Sequence, residues 1–415
     1  MSRLAHVAAP AASLILALLA AAACSPVPAL LARGDALAAE GKVPEALAAY
    51  AEADEHESDS VRALLRAGAL NLKHDRPDQA LKAYEAALEK KPDAAAAYIG
   101  LARAYLAKGV TATAVQALER AADLDPKNPE PWFLKGKIAK RAGDLDAAQI
   151  GFENAIRRDP RHAQAHLRRG DIFFTRGDAK KALQAYRLAV ASDPELDEAI
   201  MQIGRTYLLA GRLDKAIAAL EEAVAKNRRN AYAQHYLGVA LARKGRNEKA
   251  VLALGNALRI EPELGRSYIV LGNIYERNLL GDKAYDAYRR AIQASPKLLD
   301  GYVNLARLQL ERKQKRRARR TLRRALQVDP ECGDCRLLLG RLYLERRRYR
   351  RALAVLEKLV QQDYQNNAAH FYLGRAYLGL GMIAKATAEY NALAMANDSE
   401  RAEALLKLIE RRKRR

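Results

Sequence analysis

The feature that most constrains this chain is a period of 34 residues, repeated eleven times without insertion or deletion between residues 27 and 400. One slot of the period holds Gly34, Gly68, Gly136, Gly170, Gly204, Gly238, Gly272, Gly340 and Gly374, with Ala102 and Ala306 at the two remaining slots. Twelve residues further on stands alanine every time, from Ala46 through Ala216 to Ala386. A fixed period of this length means one supersecondary element stacked on copies of itself, because a single copy cannot bury its apolar face alone. Length alone, 415 residues, suggests two or three domains. The register replaces that reading with one repeat array whose core is a thin layer between stacked helices.

Numbering each repeat from residues 27, 61, 95, 129, 163, 197, 231, 265, 299, 333 and 367, apolar residues at positions 4, 7, 8 and 11 form the stripe of a first helix. Positions 20, 24 and 27 do the same for a second. Glycine or alanine at position 8 and alanine at position 20 let the two axes approach. Proline at position 32 ends the second helix, in Pro92, Pro126, Pro160, Pro194, Pro262, Pro296 and Pro330. Ser58, Arg228, Tyr364 and Asp398 depart from that rule. Ala402, Leu405, Leu406 and Ile409 begin an amphipathic segment, 401–415, that can cap the last repeat, and Arg411 to Arg415 read as a frayed, solvated tail. No segment of 27–400 is long and apolar enough to span a bilayer.

The fourth repeat reads Trp132, Gly136, Ala148, Phe152, Ala155, Pro160, and the eighth reads Tyr268, Leu271, Gly272, Tyr275, Ala284, Tyr288, Ala291, Pro296. This resembles the tetratricopeptide repeat, and the resemblance extends over 27–400. It implies an all-α, right-handed superhelical solenoid of eleven helix-turn-helix repeats with a C-terminal capping helix, serving as a non-catalytic protein-binding scaffold. In that family, positions 2, 5, 9 and 12 line a concave groove for peptide segments. Position 9 supplies Arg103, Lys137, Arg205, Asn273, Arg307, Arg341 and Arg375, while position 12 supplies Leu106, Leu208, Leu310, Leu344 and Leu378. Asn304 at position 6 can add hydrogen bonds. Guanidinium forks suit carboxylates, and the leucines suit apolar side chains of a bound peptide. The competing reading is pairing along the helix: Arg307 and Arg341 precede Glu311 and Glu345 by four residues. Arg103, Arg205 and Arg375 are followed at that spacing by Ala107, Leu209 and Gly379 instead of an acid.

The first 24 residues differ from the rest. Arg3 precedes an apolar run, Leu14 to Leu19, then Ala20 to Ala23 and Cys24. A charged start, a short apolar run and small residues read as an export signal. The ending at cysteine resembles the lipobox of bacterial lipoproteins, although Ala21 stands where leucine is commoner. The resemblance implies a signal peptide over 1–23, acylation of Cys24 and a lipidated N-terminus over 24–26. Ser25 implies an outer-membrane lipoprotein facing the periplasm. Tetratricopeptide lipoproteins of this kind act as pilotins for secretin rings and as scaffolds for exopolysaccharide export, which makes assembly of a secretion, pilus or export machine the expected role. An unprocessed N-terminus would instead give a cytoplasmic adaptor.

Net charge is +22. Residues 25–60 carry two basic and eight acidic groups, whereas residues 299–415 carry 27 basic and 13 acidic ones. Arg312, Arg316, Arg317, Arg320, Arg346, Arg347 and Arg348 concentrate the positive charge on turns and second helices of repeats nine and ten. They form a candidate basic edge for an acidic protein, an anionic polysaccharide or anionic lipid, or else a solvated ridge. Nucleic acid is disfavoured as a partner, since no aromatic stacking pattern accompanies the arginines.

Cys332 and Cys335 can form a small disulfide at the junction of repeats nine and ten, or remain thiols. His162 and His166 share a helical spacing but have no third ligand in sequence, so they read as structural. No phosphate-binding loop, nucleophile elbow or paired catalytic carboxylate interrupts the period. The expectation is therefore no enzyme, no cofactor and no metal.

Overall fold

The computed structural model describes residues 26–56 and 61–414, and these are helical throughout, with no strand among them. The expected signal and Cys24 lie outside the described residues. The chain divides into two compact units, residues 1–199 and 200–415. In each, a first helix packs on the second helix of its own repeat, and each second helix packs on the first helix of the next repeat.

In the first unit the pairs are Val27–Ala39 with Val43–Glu55, Arg62–Lys73 with Pro77–Lys90, Ala95–Ala107 with Thr111–Leu124, Glu130–Arg141 with Leu145–Arg158, and Ala163–Thr175 with Ala179–Ser192. The second unit contains Leu213–Lys226, Ala231–Arg243 with Asn247–Ile260, Gly265–Arg277 with Gly281–Ala294, Leu299–Glu311 with Lys315–Val328, Gly333–Glu345 with Tyr349–Gln362, and Asn367–Gly379 with Ile383–Met395. Asp197–Leu209, the first helix of repeat six, runs through the boundary between them. A last helix, Ser399–Lys413, closes the second unit.

The alanines of position 20 are all fully buried, from Ala46 to Ala386. Opposite them, a Cβ added to Gly170 would meet the Tyr186 ring at 2.5 Å, and one added to Gly136 would meet Phe152 at 2.8 Å. The glycine makes room for the side chain at position 24, a ring in these repeats and leucine in others, where the Cγ atoms of Leu220, Leu254 and Leu356 would stand 2.5, 2.5 and 2.6 Å from a Cβ added to Gly204, Gly238 and Gly340. Where alanine replaces it, at Ala102 and Ala306, position 24 holds Leu118 and Leu322, branched chains that can rotate away.

Position 3 is a second buried column, which the 4-7-8-11 stripe does not include. Ala97, Ala165, Ser267, Cys335 and Ala369 are fully buried there. A Cβ on Gly301 in the same column would touch Ile292 and Ala291 of the preceding repeat. Small size is needed because this position packs between repeats, not within one.

The turn between the two helices of a repeat runs through a left-handed residue at position 15. Gly143 has φ +85°, and the Asp144 amide donates to the Ala139 carbonyl at 3.0 Å, closing the helix end. The loops between repeats are tied from position 4. His166 Nε2 lies 2.9 Å from the Pro160 carbonyl and His370 Nε2 2.9 Å from that of Tyr364, while the Tyr302 hydroxyl donates to the Pro296 carbonyl at 3.1 Å. His162 caps the helix after it, its Nδ1 accepting from the Ala165 amide at 3.3 Å. His162 and His166 thus serve the backbone, as does His370.

Asp398, a departure from the proline rule, accepts from the Arg401 amide at 3.2 Å and so starts the capping helix. Leu405 and Ile409 bury themselves against the last repeat. The tail expected to fray at Arg411 instead remains helical through Lys413, because Leu408 and Ile409 keep that turn packed.

Candidate functional site

In the first unit, the residues expected to line a groove do come together. Arg103 and Leu106 of repeat three, Glu130, Phe133 and Lys137 of repeat four, and Gln164 and Arg168 of repeat five surround a pocket of about 720 Å³, floored by Ala107, Leu134 and Ile138. Its floor is apolar and its rim charged. That combination favours a peptide segment that brings apolar side chains and a few acidic ones.

The rim is more nearly neutralised than the sequence suggested. Arg103, expected to lack a partner, donates to Glu130 Oε1 at 2.6 Å across the repeat junction. Arg168 grips Glu198 with both terminal nitrogens, at 2.7 and 2.9 Å. Asp171, at position 9 of repeat five, takes Lys140 at 2.8 Å and Arg168 at 3.3 Å. Spacing along single helices reveals Arg168–Asp171 but not Arg103–Glu130, Arg168–Glu198 or Lys140–Asp171, whose partners stand about 30 residues apart. Lys137 instead lies over the Phe133 ring, 5.7 Å from its centroid.

In the second unit the position-9 row is supported by aromatic rings. Arg205 lies 5.5 Å from the Tyr236 centroid and bonds Gln202 at 3.2 Å. Arg341 and Arg375 both approach Tyr372, at 5.4 and 5.8 Å. Arg307 donates to Asn304 Oδ1 at 2.9 Å, and Asn304 Nδ2 reaches Asn273 Oδ1 at 3.4 Å. The alternative pairing along the helix is not the arrangement found at Arg307, which takes Asn304, or at Glu345, which takes Lys315 at 2.9 Å. Leu208 is buried, serving the core more than a ligand.

At the end of this row, Arg375, Leu344, Leu378, Tyr349, Leu408, Arg411 and Arg412 enclose a second pocket of about 390 Å³. The capping helix thus adds two guanidiniums to the row. Amphipathic spacing foretold its buried face but not the destination of its arginines.

The candidate basic edge separates into two places. Arg312 is neutralised by Asp282 at 2.8 Å. Arg317 and Arg320, one helical turn apart, join Arg289 and Arg324 around a crevice of about 470 Å³ between the second helices of repeats eight and nine. Arg346, Arg347 and Arg348 remain at the turn of repeat ten, and Arg316 stands at the start of the second helix of repeat nine. Cys332 and Cys335 are bonded, with Cα atoms 5.3 Å apart. Cys332 also caps the following helix, its sulfur accepting from the Cys335 amide at 3.3 Å.

Two family models, both described as the tetratricopeptide repeat, match this chain, one over residues 133–197 and 201–266, the other over 71–138, 281–342, 316–370 and 343–409. The chain belongs to the tetratricopeptide repeat family. Its members mediate protein–protein interaction and are in general non-catalytic scaffolds. No curated protein matches the chain.

Among solved structures, this tetratricopeptide protein is similar to a crystal structure of MamA, with 26% identity, 39% of this chain and 95% of that one covered, and a TM-score of 0.36. It is similar to Pseudomonas aeruginosa pilF at 18% identity, covering 53% of this chain and 98% of the other, with a TM-score of 0.47. Yeast Tom70 aligns at 15% identity over 93% and 95% of the two chains, again with a TM-score of 0.47. All three scores fall below 0.5, so the family assignment rests on the repeat itself.

Proposed function

We propose that this chain is a peptide-binding scaffold of the bacterial envelope, tethered by an acylated Cys24 and serving assembly of a secretion, pilus or exopolysaccharide export machine. The observation that carries the binding role is the pocket of repeats three to five, where Ala107, Leu134 and Ile138 form an apolar floor, flanked by Leu106 and Phe133, beneath Lys137, Arg141 and the Arg103–Glu130 pair. An apolar floor rewards burial of a partner's side chains, and the charged rim fixes their register. Support for the tether comes from the sequence: a charged start, an apolar run and small residues ending at Cys24.

Photo-crosslinking in the native host tests the groove. A crosslinker at Lys137 or Arg341 should capture one defined protein, whereas one at Lys180, exposed on the second helix of repeat five, should not. Indiscriminate capture from all three sites would count against the groove. The mass and membrane fraction of the mature N-terminus, beside a Cys24→Ala variant, test the tether separately: an intact Met1 in the cytosol refutes it.

A further inference from the structure

The turns between the two helices of each repeat carry a pattern that the binding role does not use. At four repeat junctions a cation at position 14 meets an aspartate at position 18 of the preceding repeat: Lys108 with Asp78 at 2.7 Å, Arg176 with Asp146, Lys244 with Asp214, and Arg312 with Asp282 at 2.8 Å. Between repeats nine and ten the same two positions are Arg346 and Arg316. The ladder there has cations on both rails.

Position 15 repeats the message. Seven repeats place glycine there, with φ between +70° and +85°. Repeat two places Asp75 there at φ +54°, a residue type that tolerates the conformation, whereas repeats eight, nine and ten place Leu279, Lys313 and Arg347 in it, at φ +59°, +58° and +52°. For a bulky residue this conformation costs roughly 1–2 kcal/mol, and glycine would remove the cost. Yet Leu279 gains no burial in return, being 92% exposed. Lys313, Arg316, Arg347, Arg348 and Arg350 are exposed as well, and no carboxylate pairs with them among the described residues. Two of the nearby acids are engaged elsewhere, Asp282 by Arg312 and Glu345 by Lys315, which leaves exposed Glu311 against this run of cations.

We infer that the turn edge of repeats eight to ten is a docking surface for an anionic bilayer. The cations of Lys313, Arg316, Arg346, Arg347 and Arg348 take lipid phosphates, and Leu279 enters the boundary between headgroups and acyl chains. A row of cations beside a protruding apolar tip is the composition that binds a charged interface, through electrostatic attraction together with apolar burial. A soluble polyanion such as a sulfated polysaccharide would use the cations but would give Leu279 nothing to bury against.

The test restores the family's glycine. Full-length chains carrying Cys24→Ala are compared with the same chains also carrying Leu279→Gly, Lys313→Gly and Arg347→Gly, by sedimentation with vesicles of equal parts phosphatidylglycerol and phosphatidylcholine, and with pure phosphatidylcholine. The residual N-terminal segment is common to all samples. Each cation near an anionic surface contributes about a fivefold change in partition, so the triple variant should lose more than tenfold in binding to anionic vesicles. Its thermal stability should be equal or higher, which separates loss of docking from loss of fold. Leu279→Gly alone should weaken vesicle binding while leaving dextran sulfate binding unchanged. Equal binding to both vesicle types, undiminished binding by the triple variant, or insensitivity of vesicle binding to Leu279→Gly would each overturn the inference. The last outcome would assign the edge to soluble polyanions.

Discussion

Adding one methyl group at Gly272 should destabilise the eighth repeat, although the same change stabilises most helices. An ideal Cβ there would stand 2.3, 2.6 and 2.8 Å from three atoms of the Tyr288 ring. Normal carbon contact begins near 3.5 Å, so the ring would have to retreat by more than about 1 Å. Tyr288 is completely buried, and its hydroxyl lies 2.8 Å from Asn273 Oδ1 and 2.6 Å from Glu276 Oε2. Overpacking of this kind costs about 1–3 kcal/mol. Weakening a hydrogen bond to a carboxylate adds about 1.5–3 kcal/mol if it is lost outright. Better helix propensity returns about 1 kcal/mol. The expected net loss for Gly272→Ala is about 1.5–5 kcal/mol if that bond breaks and up to about 2 kcal/mol if it holds.

Gly255 supplies the control, since nothing lies within 4 Å of its added Cβ, and Gly255→Ala should therefore gain up to about 1 kcal/mol. A long repeat array need not unfold in one step. Hydrogen exchange at residues 247–260 and 265–294, read beside urea unfolding, gives the local values. Placing Tyr288→Leu on the Gly272→Ala background copies the Ala102–Leu118 and Ala306–Leu322 pairs already in this chain. That double variant should be more stable than the sum of its parts by at least about 1 kcal/mol. Equal stability of Gly272→Ala and Gly255→Ala would refute the steric reasoning outright.

Leu405, fully buried on the capping helix, should cost about 2–5 kcal/mol when changed to alanine, with faster amide exchange confined to residues 367–413. His235 is buried with Nδ1 2.8 Å from Ser267 Oγ, and burial together with Arg266 lowers its pKa from 6.5 to about 4. Below pH 6.5 the unfolded chain takes up a proton that the folded chain refuses, so stability should fall by about 3 kcal/mol from pH 6.5 to 4 through this group. His235→Asn should flatten that part of the profile in urea titrations, and an unchanged slope would locate acid sensitivity elsewhere. Reducing the Cys332–Cys335 bond, whose loop is very short, should lower stability by at most about 2 kcal/mol. A larger loss by denaturation in dithiothreitol would show that the bond does more than restrict the unfolded chain.

How much of this was legible in advance depends on whether a signal lies within one repeat or between two. Proline at position 32, glycine at position 8 and the buried alanines of position 20 act inside a repeat, and their spacing announces them. The position-3 column is small because it meets the preceding repeat, which periodicity along one helix cannot reveal. Arg103 looked free because its neighbour in the helix is Ala107, whereas Glu130 is its partner across the junction. The signal for the junction ladder was present all the same, as opposite charges 30 residues apart at Lys108–Asp78, Lys244–Asp214 and Arg312–Asp282. Finding it requires reading the sequence at the repeat period.

The sequence by itself determined the helical class, the number of repeats, their boundaries and the family, because an uninterrupted 34-residue period leaves the chain no other way to bury its apolar stripes. Tertiary structure decided which charges remain available. Arg312 and Arg103 are spent on neighbouring repeats, and Arg317 and Arg320 join Arg289 and Arg324 around a crevice. Arg411 and Arg412 leave the expected tail to line a pocket beside Arg375. The physical reason is that helix formation is local and is written in spacing, while ion pairing depends on distances of a few ångströms between residues about 30 positions apart.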